Sequence, residues 1–305
     1  MKTILFVKTS SLGDVVHNCP AVSDAARALP GAAIDWVVEE PFAPIAAMHR
    51  SVRRVIPVAL RRWRGALWKR SVWDEIGVWR AALRAERYDA VVDTQSLLKS
   101  ALVSRAASGT RHGLDRASAR EWLAPLFYHV RHAVPRHLHA VQRNRMLAAH
   151  ALQYEIPRSV DYGLRAPEAS KSGYIVLLTM TSRADKLWPE ERWIELGRAL
   201  GAPAILPWGS DDERARAERI ARGIGGTVLP RKSVEELGRL FAAARAVVGL
   251  DTGLTHLAAA LGAPAVGIFC GSDPRLTGLY GAPYARNAGA PGKPPSVAEV
   301  LHLLG

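Results

Sequence analysis

Cysteine is scarce in this chain. Cys19 and Cys270 are the two cysteines among 305 residues, and they lie in opposite halves of the sequence. This number and this spacing give neither a disulfide framework nor a set of metal ligands. We therefore expect both residues to be reduced thiols with a structural role.

Long apolar runs are missing as well. The first ten residues, MKTILFVKTS, contain a short apolar run that no small-residue cleavage site follows, so they do not resemble a signal peptide. No window of the sequence reaches the roughly 20 apolar residues of a membrane-spanning helix. We therefore expect neither export nor a membrane span.

Several phosphate and metal motifs are absent. The turn after the first predicted strand, residues 9–14 (TSSLGD), is neither G-x-G-x-x-G nor a phosphate loop ending in Lys-Ser/Thr. No D-x-D sequence and no His/Cys cluster occur, so a metal bridging a nucleotide diphosphate has no obvious ligands. We expect no metal and no cofactor, which leaves backbone amides and cations to bind any diphosphate.

What the sequence does contain is a globular composition with a basic surplus. Hydrophobic residues make up 49% and charged residues 23%, and the length suits two domains. The net charge is +13, with 23 basic and 13 acidic side chains in residues 1–155 against 18 and 15 in residues 156–305. Such an imbalance attracts anionic partners, and composition alone leaves nucleic acid, anionic lipid and a phosphorylated sugar open.

Short β-branched runs alternate with helical patterns, which predicts an α/β fold with parallel sheets. We predict two Rossmann-like domains at 1–157 and 173–290, a linker at 158–172 and a C-terminal helix within 291–305. Loops at the carboxyl ends of the strands bind ligands in open α/β sheets, so we expect a cleft between the domains. The predicted strands are 3–7, 34–38, 55–58, 90–92, 174–178, 204–206, 247–250 and 265–269.

Asp14 is the unusual residue of the first strand-to-helix turn. A carboxylate at a helix start can cap the helix or interact with its dipole. It can equally act as a general base that faces the predicted cleft. The residues alone leave both interpretations open.

A second candidate loop, residues 251–256 (DTGLTH), follows the apolar strand at 246–250 and precedes a helix predicted at 257–261. Exposed amides at a helix start, with Gly253 allowing close approach, can bind a diphosphate. The alternative is that Asp251 is a helix N-cap and His256 is a packed side chain one turn later.

Two further loops of the second half carry polar groups. Residues 181–189 (TSRADKLWP) place Thr181, Ser182 and Lys186 on one strand-end loop, where Lys186 is either a phosphate ligand or a solvated charge. Glu213 follows Trp208-Gly209-Ser210 and can accept hydrogen bonds from a ribose or simply stabilise the first turn of a helix.

Residues 61–70 (RRWRGALWKR) form a dense basic segment between a strand and a helix predicted to begin near Asp74. A solvated charge run explains the five cations but not the two tryptophans, whose exposure is unfavourable unless a partner or a membrane surface covers them. We therefore predict a partner-binding loop.

Four of these segments, in their order and spacing, resemble glycosyltransferase family 9 over essentially the whole chain. Each segment is weak alone, but the combination is specific and favours type I over type II members. The segments are residues 8–17, 61–64, 185–190 and 251–256, supported by 206–209.

The resemblance implies a GT-B fold with the acceptor on the first Rossmann-like domain and the nucleotide sugar on the second. It implies transfer of heptose from ADP-heptose to Kdo2-lipid A, with inversion at the anomeric carbon and without a metal. By position, Asp14 looks like the family's general base, which deprotonates the attacking Kdo hydroxyl.

The resemblance also implies binding roles for other residues. Lys186, with Thr181 and Ser182, looks like the phosphate grip, and Arg61, Arg62 and Arg64 match a loop that receives the phosphorylated acceptor. Two positions depart from the family pattern, since Gly65 replaces a cation and Ala184 replaces an acid. The remaining donor residues are Glu213 for the ribose, Asp251 for a heptose hydroxyl, Thr252 and Gly253 for the diphosphate, and His256.

Two other interpretations compete with this one. The first is heptosyltransferase II or another family 9 enzyme with a different acceptor. The second is a basic nucleic-acid-binding protein, which no recognised motif supports. We expect ADP-heptose and Kdo2-lipid A as partners, no nucleic acid, and a cytoplasmic protein peripherally attached to the anionic cytoplasmic face of the inner membrane.

Overall fold

The computed structural model describes residues 2–165, 169–170 and 172–305. The chain divides into two compact units, Met1–Gly163 and Leu164–Gly305. Residues 166–168 and 171 of the predicted linker lie outside the described residues. The linker residues up to Gly163 belong to the first unit, where Arg145 donates to the carbonyl oxygen of Ser159 (2.9 Å).

The first unit contains a six-stranded parallel sheet in the order β3-β2-β1-β4-β5-β6. Every residue of the central strand β1 is buried, since neighbouring strands pair with both of its edges. This explains its continuous apolar run, which is typical of parallel strands covered on both faces. The strands are β1 (Thr3–Val7), β2 (Ala33–Glu39), β3 (Arg54–Val58), β4 (Arg87–Asp93), β5 (Ser108–Leu114) and β6 (Val130–His132).

Six α-helices accompany this sheet within residues 2–163. The first and the last of them pack against each other, which brings the start and the end of the unit together. The helices are α1 (Leu12–Ala28), α2 (Ala43–Ala47), α3 (Leu60–Arg64), α4 (Arg70–Arg84), α5 (Leu98–Ala106) and α6 (Ala140–Leu152).

The second unit repeats the plan with the strand order β12-β11-β10-β7-β8-β9. Numbered within each unit, both sheets have the order 3-2-1-4-5-6 of the Rossmann fold. The predicted fold class, two Rossmann-like parallel-sheet domains, is therefore confirmed within each unit. The strands are β7 (Ile175–Leu178), β8 (Ala204–Leu206), β9 (Thr227–Val228), β10 (Ala246–Leu250), β11 (Ala265–Ile268) and β12 (Ala285–Ala288).

The core of the second unit includes the C-terminal helix. Val297 and Val300 of this helix are buried in the same cluster as Trp188 and Trp193, whose rings meet edge to face. Ser296 caps the helix by accepting from the backbone of Glu299. The helices are α7 (Glu190–Leu200), α8 (Asp211–Ile224), α9 (Val234–Ala243), α10 (Gly253–Ala260), α11 (Pro274–Thr277) and α12 (Val297–Leu304).

The basic segment differs from its prediction. It is not one connecting loop, because residues Leu60–Arg64 form α3 and α4 begins at Arg70 rather than near Asp74. The helix predicted at 257–261 also begins earlier, at Gly253. Cys19 and Cys270 are buried free thiols, as predicted. No helix within the described ranges has the length and apolar character needed to cross a bilayer.

Candidate active site

Each sheet has a point where its strand order reverses. In the first unit this point lies between β1 and β4, and in the second between β7 and β10. Loops at the carboxyl ends of such strands are where open α/β sheets bind ligands. Asp14 follows β1, Lys186 follows β7 and Asp251 follows β10 directly. Three predicted site residues therefore lie beside a switch point of their own unit.

Asp14 occupies the first turn of α1, where it forms a capping box. The backbone N–H of Ser11 donates to Asp14 Oδ2 (3.1 Å). Arg120, in the loop after β5, donates from Nη2 to Asp14 Oδ1 (3.1 Å). The side chain of Asp14 is only 16% exposed, whereas that of Arg120 is 44% exposed. The capping alternative is therefore realised in the structure, and one ion pair accompanies it.

The loop that carries Asp14 is held by the neighbouring strand end. Gln95, which follows β4, accepts from the backbone N–H of Thr9 (3.0 Å) and of Ser10 (3.2 Å). Lys8, at the end of β1, donates from Nζ to Thr94 O (2.8 Å) and lies 3.4 Å from Asn144 Oδ1. These contacts join the two loops of the switch point and fix the start of α1.

Electrostatics keeps Asp14 ionised. Burial on its own raises the pKa of Asp14, but Lys8, Arg120 and His17 outweigh it and hold the pKa at about 2. Burial also lowers the pKa of Lys8 to about 8, opposed by Asp14 and assisted by Arg120. At neutral pH the carboxylate is therefore charged, with a cation on either side of it.

Asp251 is the corresponding carboxylate of the second unit. Its Oδ2 accepts from Lys186 Nζ (2.6 Å) and from the Ser272 hydroxyl, and its Oδ1 lies 3.2 Å from His256 Nε2. Burial raises the pKa of Asp251, but the hydrogen bonds from His256, Lys186 and Ser272 outweigh it and hold the pKa well below its usual range. The structure therefore brings together Asp251 and His256 of one sequence motif and Lys186 of another.

The loop after β7 approaches two other strand ends. Thr181 Oγ1 donates to the carbonyl oxygen of Asp251 (3.2 Å), while Ser182 is exposed. Gly271, after β11, permits this packing, because a Cβ at that position would lie 2.6 Å from Asp185 Oδ2 and 2.7 Å from Asp185 O. Hydroxyl groups and a cation thus converge on the edge of the sheet at its switch point.

Thr252 and Gly253 form the start of α10. Thr252 is the N-cap in extended conformation and Gly253 is the first helical residue. The alternative in which Asp251 is the N-cap is therefore wrong, because Asp251 lies one residue earlier and its carboxylate points to side chains. The first N–H groups of a helix have no intrahelical acceptor, which makes this turn suited to an anion.

Glu213 lies in the first turn of α8. Its Oε2 accepts from the backbone N–H of Gly209 (2.7 Å), and its own N–H donates to Ser210 Oγ (3.3 Å). The guanidinium of Arg214 lies 5.5 Å from the centre of the Trp208 ring. Glu213 therefore stabilises the first turn of α8, as one of the two interpretations expected. Its Oε1 takes part in neither of these hydrogen bonds.

The basic segment divides into a buried and an exposed part. Trp63 is 6% exposed and packs edge to face on Trp79, whereas Trp68 is 78% exposed. The expectation that both tryptophans need an external cover was wrong for Trp63, because α3 turns it into the core of the unit. Arg62 is paired with Glu75 (2.8 Å) and Glu40 (3.1 Å).

The other two arginines of this segment lie on the surface. Arg61 places its guanidinium 5.8 Å from the centre of the Phe42 ring, and both Arg61 and Arg64 are exposed. The sequence interpretation did not distinguish Arg62, which is held by two carboxylates, from its neighbours. The chain therefore presents Arg61 and Arg64 more freely than Arg62.

Several residues of the two sites were missed from the sequence. Ser272 was missed because it follows β11 and has no motif, and Arg120 because it lies in an irregular loop far from Asp14 in sequence. Lys8 stood within a motif but received no role. In the described part of the chain, no group of three or more His, Cys, Asp or Glu side chains has the arrangement of a metal site.

Comparison with known proteins agrees with this picture. Residues 77–298 match the family model of glycosyltransferase family 9 (heptosyltransferase). The chain is 47% identical over 289 residues to lipopolysaccharide heptosyltransferase 1 of Salmonella typhimurium, covering 91% of each protein. It is 48% identical over 288 residues to the same-named protein of Pseudomonas aeruginosa, covering 91% of this chain and 81% of that protein.

The structure also resembles a solved one. The E. coli heptosyltransferase WaaC with ADP superimposes with a TM-score of 0.89 at 45% identity, covering 98% of this chain and 96% of that chain. The similarity confirms the predicted GT-B fold. Because the family model spans most of the chain and the relatives exceed 40% identity, the chain belongs to glycosyltransferase family 9, the heptosyltransferases.

Proposed function

We propose that this enzyme transfers L-glycero-D-manno-heptose from ADP-heptose to a Kdo residue of Kdo2-lipid A. The observation that carries the proposal is the identity of 47% and 48% to two proteins named lipopolysaccharide heptosyltransferase 1, over 91% of the chain. The solved relative that contains ADP supports an adenosine diphosphate donor. The basic surplus of the first half suits a phosphorylated, acidic acceptor.

In this proposal Asp14 is the general base. A sugar hydroxyl is a poor nucleophile at neutral pH, so a carboxylate must take its proton as the new glycosidic bond forms. The low pKa of Asp14 keeps it ionised and ready to accept a proton. Its contact with the exposed Arg120 is an ion pair that a substrate can rearrange, which suits a group that must change partners.

The second unit supplies the donor groups. The departing ADP gains negative charge on its diphosphate, and preorganised cations and amides stabilise such charge without reorganisation. Lys186 has three N–H donors and uses one for Asp251, so the others can bind a phosphate oxygen. Thr252 and Gly253 offer the start of α10, and Thr181 and Ser182 offer hydroxyl groups.

Asp251, His256 and Glu213 complete the donor site in this proposal. Asp251 orients Lys186 and accepts from a heptose hydroxyl, and His256 holds Asp251 in place (3.2 Å). Glu213 accepts from the ribose with the oxygen that does not bind Gly209. Loss of Asp251 therefore removes a contact to the heptose and also the group that orients Lys186.

The proposed reaction is a single displacement. The acceptor oxygen attacks the anomeric carbon from the face opposite to the diphosphate, so the configuration at this carbon inverts. Lys186 is assigned the charge-stabilising role that other transferases give to a metal ion. NMR spectroscopy of the product, compared with the donor, tests inversion, and an unchanged rate in EDTA is the expected result for a reaction without a metal.

We further propose peripheral attachment to the cytoplasmic face of the inner membrane. Arg61 and Arg64 contact the phosphorylated acceptor, with Arg62 held behind them by Glu75. Trp68, which is 78% exposed, enters the headgroup region. Cosedimentation with anionic vesicles tests this, and binding should fall in Trp68→Ala but not in Trp122→Ala, whose indole is also exposed at 61%.

The choice of acceptor is tested by an activity assay. Purified enzyme is given ADP-heptose with either Kdo2-lipid A or the same acceptor already carrying one heptose, and ADP release is measured. We expect release with Kdo2-lipid A at least about tenfold faster, since a pocket that uses the acceptor's polar groups rejects the wrong one strongly. A preference for the heptosylated acceptor would instead assign a type II or other family 9 activity.

A further inference from the structure

A small cavity beside Asp14 has an excess of positive charge. Its charged lining residues are Lys8, Asp14, Arg120 and Arg143, and its remaining side chains carry no charge. The volume is about 20 Å³, slightly more than a buried water molecule requires. A group of a few atoms fits such a space, whereas a sugar ring does not.

The cavity lining has one carboxylate and three cations, and the nearby carboxylate of Asp93, which acts on Lys8, still leaves a positive charge in excess. Asp14 is paired with Arg120 (3.1 Å). In the described ranges, Lys8 bonds to the neutral oxygens of Thr94 and Asn144, and Arg143 Nη2 donates to Ser118 O (2.7 Å). A buried charge without an opposite charge nearby is unfavourable, so the lining residues favour binding of an additional anion.

The lack of a negatively charged or acceptor group is clearest at Arg143. Its Nε is buried and has no hydrogen-bond partner within the part of the chain that the structure describes. Burial lowers the pKa of Arg143, and Arg120 and Arg136 act in the same direction. A buried guanidinium N–H without an acceptor loses its interaction with water and gains none in return. An acceptor oxygen in the cavity would satisfy it.

We propose that this cavity is an anion subsite that binds the carboxylate of the acceptor Kdo. The inference rests on the proposed function and adds to it roles for Lys8 and Arg143 that the sequence analysis did not assign. A planar carboxylate suits the fork of donors on an arginine, and it is smaller than a phosphate group. With the carboxylate between Arg143 and Lys8, the sugar ring stays outside and its hydroxyl faces Asp14.

The subsite has a consequence for the base. A second carboxylate competes with Asp14 for Arg120, whose exposed side chain is free to turn between them. As Arg120 moves to the substrate, the pKa of Asp14 rises from about 2 towards its ordinary range. A carboxylate with a higher pKa is a stronger base, so acceptor binding itself activates Asp14.

The test compares two acceptors that differ only in this charge. Deacylated Kdo2-lipid A and the same molecule with its carboxylates converted to primary amides are each assayed at saturating ADP-heptose. We expect kcat/KM of the wild-type enzyme to favour the carboxylate form by about 30-fold, the range of charge-assisted hydrogen bonds. In Arg143→Gln this preference should fall to about threefold, chiefly through slower use of the carboxylate form.

Control variants separate recognition from folding. Arg131→Gln removes an arginine that donates to Pro125 O (2.8 Å) outside the cavity, and it should keep the full preference. Arg143→Lys retains the charge and should keep an intermediate preference. An Arg143→Gln variant that slows both acceptors equally would overturn the subsite, because a merely structural role does not change the ratio.

The same assay keeps the two proposals apart. Turnover of the wild-type enzyme with intact Kdo2-lipid A, together with an unchanged ratio in Arg143→Gln, rejects the subsite alone. Absence of that wild-type turnover rejects the proposed function and the subsite with it. A ratio that falls in Arg143→Gln but not in Arg131→Gln supports both.

Discussion

The two units have the same strand order, and in each an ion-paired aspartate with little side-chain exposure lies beside the switch point. Asp14 follows the first strand of its unit, and Asp251 follows the fourth strand of the other. Both carboxylates have a lowered pKa in spite of burial, because cations and hydrogen-bond donors surround them. Fold and charge alone therefore do not distinguish them.

Their partners do. Asp251 is held by side chains from three separate segments, namely Lys186, Ser272 and His256, and it is 8% exposed. Asp14 has one side-chain ion pair, and its partner Arg120 is 44% exposed. A carboxylate held by several side chains positions its neighbours, whereas one with an exchangeable partner can take part in proton transfer. We therefore propose that Asp251 orients the donor and that Asp14 takes part in the chemistry.

Asp14→Asn should have the largest effect. The amide keeps an oxygen for the Ser11 N–H, so the helix cap survives while the basic group is lost. Turnover should fall about 10³-fold, within the usual range for a general base. Steady-state ADP release measures this.

Glu299→Gln is the matched control for that variant. Glu299 accepts from the Ser296 N–H (2.6 Å) in a capping box of the same kind at the start of α12. Its turnover should match the wild type. Equal losses in the two variants would mean that Asp14 acts only as a cap.

Lys186→Gln should have the next largest effect. Removal of the cation leaves Asp251 with Ser272 and His256, but it takes a charge-assisted bond from the diphosphate. The dissociation constant for ADP-heptose should rise about 10- to 100-fold, as for the loss of a bond to a charged group. Calorimetric titration measures it. Lys232→Gln, which breaks only an ion pair with Glu236 (2.7 Å), should bind donor normally, and a similar loss there would argue against the assignment.

The pH dependence should differ between the two sites. Lys8 has a pKa of about 8 in the folded protein, set by burial and by Asp14, Arg120, Asp93 and Arg143. Above pH 8 it loses its positive charge, so kcat/KM for the acceptor should fall about tenfold between pH 7 and pH 9. Donor affinity should stay constant over this range. An acceptor profile that is flat to pH 9.5 would contradict the role of Lys8.

The lowered pKa of Lys8 should also make the stability of the fold depend on pH. Because the folded pKa of Lys8 lies below its ordinary value of 10.5, the unfolded chain binds more protons between these values. The contribution of Lys8 to the free energy of unfolding should therefore increase as pH rises from about 8 towards 10.5. Lys8→Met should remove this trend in denaturant titrations at pH 8 and pH 10.

Glu213→Gln should have the smallest effect. The amide oxygen can still accept from Gly209, and only the charge next to the ribose is lost. We expect a donor dissociation constant about two- to threefold higher, since a single exposed polar contact contributes little. Glu213→Ala removes both contacts and should weaken binding further. Equal binding by the two variants and the wild type would remove Glu213 from the donor site.

Most interior strands were predictable from the sequence, whereas three of the four edge strands in the described residues were not. Strands such as Thr3–Val7 and Ala246–Leu250 are buried on both faces, so their apolar runs are visible. The strand Ser108–Leu114 was missed because it is mostly polar. Its Gly113 is required by packing, since a Cβ there would lie 2.2 Å from the Tyr128 ring. The short strands β6, β9 and β12 were missed for a related reason, since they lie at or near sheet edges.

Sequence reasoning selected candidate site residues where they lie on the loop or first helical turn that follows a strand. Asp14, Lys186 and Asp251 belong to this class, and their separate motifs indicated them. Arg120 lies in a loop and Arg143 in a helix, both far along the chain from Asp14. In the sequence they were visible only as part of the basic surplus of the first half. Which carboxylate has an exchangeable partner depends on side-chain contacts between distant segments, which no local pattern encodes.

The division of work between the two carboxylates is tested most directly by measuring two quantities on two variants. For Asp14→Asn and Asp251→Asn, the dissociation constant for ADP-heptose and kcat with saturating donor are determined side by side. We predict that Asp14→Asn leaves the dissociation constant within about twofold while kcat falls about 10³-fold, and that Asp251→Asn raises the dissociation constant at least about tenfold. Turnover that persists in Asp14→Asn, or donor binding that weakens equally in both variants, would contradict the account.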